Sequence, residues 1–182
     1  MKLLYSAILL VSFIPGCNTE EKDPCFLEDY SKELIEKYPN FQSNELAQKA
    51  VNDSIKKFCQ SYVGKEATLL DSVNFHFLRL IENEETGKYA ALFQSTGLRT
   101  SIESSAAGGK YVTADPVIAV LGMPDQKTAA KLSSGEEYLI SGRVHSWDGD
   151  HQIHYPSTTM STLDFGTVIL DSISIKKIKK VE

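Results

Sequence analysis

Leu132-Ser133-Ser134-Gly135, followed by Tyr138-Leu139-Ile140-Ser141-Gly142-Arg143-Val144, is the stretch that decides the fold. The two serines and Gly135 break whatever element precedes them. Beyond the break, Tyr138, Ile140, Gly142 and Val144 share one face of a strand over 137–144, because alternate strand residues point the same way. Upstream, 124–132 reads as a short helix with Asp125, Lys127 and Lys131 turned outward. Downstream, 147–164 reads as a long polar loop. A strand over 167–178 then closes the chain, with Val168, Leu170, Ile173 and Ile175 as its apolar members. Toward the N-terminus, alternation over 65–73 predicts a strand that Phe75, Phe77 and Leu78 carry toward Ile81. Glu82 to Gly87 is a turn, 89–93 a second strand and 98–102 a weaker one. Residues 104–109 form a small-residue loop, and 111–121 is a strand region interrupted by Asp115-Pro116.

The first residues carry a different signal. Met1-Lys2 precedes an apolar run from Leu3 to Phe13 and then Ile14-Pro15-Gly16-Cys17. A positive start, a short apolar core and small residues before a cut site make a signal peptide. The run is too short for a permanent span, which takes about 20 apolar residues. Ile14 to Cys17 resembles the lipobox of bacterial lipoproteins, which implies cleavage before Cys17 and lipidation of its thiol. Several acyl chains anchor stably where one does not. Asn18 to Asp23 is a charged tether, similar to the acidic export signals of Bacteroidetes-type lipoproteins. The expected address is the bacterial cell envelope: lipid-anchored, at the outer membrane, facing the periplasm or the exterior. The competing reading of the tether is a plain solvated linker.

Between tether and strands the periodicity is helical. Asp23-Pro24 reads as an N-cap and first helical position. Leu27, Tyr30, Leu34 and Tyr38 recur at helical spacing until Pro39-Asn40. Ser43 or Asn44 opens a second helix with Leu46, Ala50, Val51, Ile55, Phe58 and Tyr62 as its apolar stripe. Folded back as a hairpin, the pair brings Cys25 and Cys59 together, each 17 residues from position 42. An oxidising compartment favours a disulfide there. It would add roughly 3 kcal/mol. The alternative is two unpaired cysteines, with Cys59 simply buried.

The organisation expected is therefore a signal peptide over 1–16, a tether over 17–23, a helical hairpin over 24–62 and a β domain over 63–182. Three segments resemble the tRNA-anticodon-like OB-fold family found among bacterial lipoproteins. They are Tyr62-Val63-Gly64-Lys65 leading into a strand, the Leu132 to Val144 stretch, and Val168-Ile169-Leu170-Asp171-Ser172-Ile173. The resemblance implies an α+β chain: a helical hairpin, then a five- to six-stranded OB-like antiparallel β-barrel with a short helix between strands. The chain departs from the family at Asp71-Ser72, where a glycine is usual, and in the length of the 147–164 loop. Such motifs specify fold far better than function.

Charge narrows the function. One of 19 basic residues falls in 1–16, leaving 18 against 24 acidic ones, a mature charge of −6. That argues against a nucleic-acid partner, whose phosphates need Lys and Arg. No GxSxG context surrounds a serine, Gly108-Gly109 lacks the setting of a phosphate loop, and His76 has no nucleophile beside it in sequence. The leading expectation is a non-enzymatic envelope protein that binds a protein, peptide or glycan, with Trp147 and Tyr155 as contact residues and no cofactor. The alternative is metal binding or metal-dependent hydrolysis. His145, Asp148, Asp150, His151 and His154 are of the types that hold zinc, without an established signature. A third reading is a purely structural envelope component. Lys176, Lys177, Lys179 and Lys180 read as guards of a strand end or contacts to anionic lipid.

Overall fold

The computed structural model describes residues 25–83, 88–104, 109–149 and 162–179. The signal peptide, Cys17, the tether and Asp23-Pro24 lie outside the described residues, as do Asp150, His151, His154 and Tyr155. Two helices lead: α1 over Phe26–Lys37 and α2 over Glu45–Gln60. Helix α1 begins after Cys25 in the N-cap position, two residues beyond the expected Asp23. Asn44 caps α2, its side-chain oxygen accepting from the Leu46 and Ala47 amides at 3.0 and 3.1 Å. Rings join the helices antiparallel. Tyr30 stacks on Phe58 at 4.0 Å, Phe26 lies 6.4 Å from Tyr62, and the Tyr30 hydroxyl donates to the Ser54 carbonyl at 3.1 Å. Leu46 does not belong to the buried stripe; it is 80% exposed in the first turn, and Val51, Ile55 and Cys59 are what α2 buries.

The hairpin forms, with Cys25 and Cys59 both buried and no disulfide joining them in the structure. Cys59 continues the Val51–Ile55 stripe, and its thiol donates to the Phe165 carbonyl at 3.5 Å in the sheet.

Six strands follow: β1 Asn74–Asn83, β2 Lys88–Thr96, β3 Thr100–Ser104, β4 Lys110–Gly122, β5 Glu137–Asp148 and β6 Thr162–Lys177, with helix α3 at Gln126–Ala129. Residues 65–73 are not the strand their alternation suggests. Glu66 makes one bridge to Arg143, and a 3-10 turn occupies Thr68–Leu70. Leu69 and Leu70 are both fully buried within that turn. Strand β4 runs unbroken through Asp115-Pro116. Pro116 falls between the β3 pairing, which ends at Ala114, and the β2 pairing, which begins at Ala119. One ladder donor can be missing there, and the Ser95 hydroxyl accepts from the Ile118 amide at 3.0 Å.

The sheet order is β2-β1-β5-β6-β4-β3, with a further β2–β4 pairing that returns the sheet on itself. Five strands thus form a ring, and β3 is appended to β4. The sheet is mixed rather than antiparallel, because β4 and β6 run parallel. With β3 set aside, α3 falls between the third and fourth strands of the ring. One core fills both parts of the chain: Leu27, Ile35 and Val51 of the hairpin join Phe75, Phe93, Val144 and Leu170 of the strands. Among the described residues no helix is long and apolar enough to cross a membrane.

Candidate functional site

Trp147 lies near the end of β5, inside the stretch read as loop; β5 continues to Asp148 and β6 starts at Thr162. Its indole N–H donates to the Phe165 carbonyl at 2.7 Å. A bulge in β6 puts that carbonyl there. Val117 and Ala119 of β4 oppose Asp164 and Thr167, so Phe165 and Gly166 together face one residue, Ile118. Gly166 has φ +72, in the left-handed region that favours glycine, and its amide donates to Asp164 Oδ1 at 2.9 Å. A Cβ at Gly166 would stand 2.5 Å from the Asp148 carbonyl oxygen, and one at Gly149 would stand 2.4 Å from the indole ring. Two glycines therefore let the indole lie flat against the backbone. Phe165 itself points inward and is fully buried.

Helix α2 faces this corner. Asn52, Lys56 and Gln60, spaced four apart, put polar side chains along one helix face. With Asp53 they line a cleft of about 400 Å³ whose other wall is Trp147, Asp148, Gly149 and Asp164. Below it the Cys59 thiol is pushed up to about 12, by burial first and by the Asp164 carboxylate second. A second cleft, of about 480 Å³ beside Asn74, Gly97, Leu98 and Leu139, has no charged side chain in its lining. The Trp147 cleft alone of the two combines a ring, amides and charges.

Of the residues expected to hold a metal, Asp150, His151 and His154 lie outside the described residues. His145 Nδ1 is 2.8 Å from Asp171 Oδ1 across the β5–β6 pair, on the exposed face. Asp148 lines the cleft. Among the described residues no group of three His, Cys, Asp or Glu side chains is placed to hold a metal ion. His76 Nε2 sits 3.4 Å from Glu137 Oε1 at the start of β1. Sequence reasoning found Trp147 but missed Asn52, Asp53, Lys56 and Gln60, and it missed Gly166. A glycine inside an apolar strand signals a bulge, and that was the available signal for Gly166. No family model, curated protein or solved structure matches the chain.

Proposed function

We propose that the chain is a lipid-anchored envelope protein, tethered through Cys17, that binds a glycan in the cleft between α2 and the end of β5. On this reading the ring of five strands is an OB-type barrel. Such barrels bind through a strand face and adjoining loops, among them the connection between the last two strands. Here that is the β5–β6 connection. The observation that carries the reading is Trp147 at the root of that connection, in a cleft whose other wall is polar. The volume lies in the range of about 300–1,000 Å³ usual for small-ligand sites. Amides donate and accept, carboxylates accept and Lys56 donates, which suits a ligand dense in hydroxyls. An indole offers the apolar face against which a sugar ring packs. Three carboxylates disfavour a phosphate backbone in the same place.

The test is a thermal-shift comparison of the mature chain carrying Cys17→Ser, against neutral envelope glycans, peptides and divalent metals. A ligand that binds only the folded state raises the midpoint. Glycans are expected to do so, and Gln60→Ala to abolish the shift. Stabilisation by zinc alone, lost in His151→Ala and His154→Ala, would replace this reading with the metal one.

A further inference from the structure

The hairpin leaves apolar surface uncovered at the end where the chain enters from the tether. Phe26 is 49% exposed and Val63 43% exposed. Phe26 lies 5.8 Å from Phe58 and 6.4 Å from Tyr62, and Val63 follows Tyr62 directly. Rings that could have packed inward instead form the outer rim of the helix pair. Apolar patches rimmed by polar groups mark interaction surfaces.

We infer that this end of the hairpin is a membrane-docking face, with Phe26, Tyr62 and Val63 resting in the interfacial layer of the bilayer that holds the acyl chains on Cys17. The inference rests on the lipid-anchor reading of Cys17. Chain length argues for the occupant. Phe26 is nine residues after Cys17. Fully extended, that length reaches at most about 30 Å. A patch held so near a lipid surface meets that surface at high effective concentration, so even a weak apolar contact is populated. Aromatic rings with a polar tip, such as Tyr62, suit the headgroup boundary. Arg143 donates from Nε to the Gly64 carbonyl at 3.1 Å, next to Val63, and exposed Lys65 follows. Glu66 follows Lys65 and pairs with Arg143 through the backbone, so the rim carries both signs and the apolar area, rather than net charge, does the docking.

The experiment uses the full lipidated chain in vesicles of phosphatidylethanolamine and phosphatidylglycerol with brominated acyl chains, which quench a nearby indole. In a Trp147→Phe background, F26W, V63W and L46W each supply a lone reporter. Leu46 is the control: it is 80% exposed and lies at the other end of α2. A helix of that length spans about 24 Å. F26W and V63W are expected to be quenched several-fold more than L46W. Equal quenching of all three overturns the inference. So does a blue-shifted, unquenched F26W, which would mean that protein, such as a second copy, covers the patch. Having two reporters guards against one substitution disturbing the helix. Intact mass of the extracted protein separates the failures. An unacylated Cys17 removes the anchor reading and this inference with it, whereas an acylated chain with unquenched F26W removes this inference alone.

Discussion

Two aromatic clusters do opposite things with the same side chains. Inside the ring, Phe93 lies 5.6 Å from Phe77 and 5.9 Å from Tyr138, and Phe93 is wholly buried. At the hairpin, Phe26, Tyr30, Phe58 and Tyr62 are joined to the sheet through Phe165, 6.0 Å from Phe58, and the cluster opens to solvent at Phe26. The first cluster closes strands on one another. The second seals helices onto one corner of the ring and leaves surface over. Phe165 belongs to the seam: its ring supports the hairpin while its carbonyl holds the Trp147 indole and the Cys59 thiol. The first cluster thus lies inside the core, and the second lies on the seam where the hairpin meets the ring.

The comparison breaks most visibly at Phe93. Phe93→Ala removes a fully buried ring and is expected to cost about 3–5 kcal/mol, read as a fall in the urea midpoint. A loss no larger than that of Phe26→Ala would erase the distinction between the clusters. Next is Gly166→Ala, which forces a side chain into positive φ and toward the Asp148 carbonyl. Strain of this kind costs of order 1–3 kcal/mol. Trp147 emission should shift in the folded variant, because the indole must move. A normal midpoint with unchanged emission would mean that the bulge does not position the ring.

Alkaline pH sharpens the contrast at the seam. The Cys59 thiol rises from an ordinary value of 9.0 to about 12 in the fold. The unfolded thiol ionises first, so its contribution is complete below about pH 8.5 and is lost as pH rises toward the folded value. Burial also raises the phenols of Tyr30 and Tyr62, which act with the same sign. Denaturation midpoints should therefore fall between about pH 9 and 12, and the slope should be shallower in Cys59→Ala. Parallel slopes would show that Cys59 is not protected by burial. The smallest effect is Phe26→Ala, expected below about 1 kcal/mol, since half the ring is already in water. A large loss there would make the outer cluster structural.

The helix pair was legible because Leu27, Leu34, Val51 and Ile55 repeat at helical spacing and are buried accordingly. Strand β5 was legible because Tyr138, Ile140 and Val144 alternate, and all three are buried. Residues 65–73 misled because they alternate as a strand does, yet only Glu66 pairs with a strand residue and the chain turns at Thr68–Leu70. The start of β6 misled for the converse reason: polar Thr162 and Asp164 and the bulge at Gly166 hide a strand inside what looks like loop. The parallel β4–β6 contact is long-range and leaves no local trace. Half of the cleft was legible, as Trp147. Asn52, Lys56 and Gln60 were not, because a polar helix face reads the same whether it meets water or a ligand.

The central claim is that the Trp147 cleft is where this protein binds. Trp147 is the one tryptophan in the chain, so its fluorescence reports from the cleft alone. The decisive measurement is an emission titration of the mature chain with neutral envelope oligosaccharides, repeated with Lys56→Ala and Gln60→Ala. The account predicts a saturable change in the wild type that both substitutions weaken. A saturable change equally strong in both variants, or no change with any oligosaccharide, would contradict it.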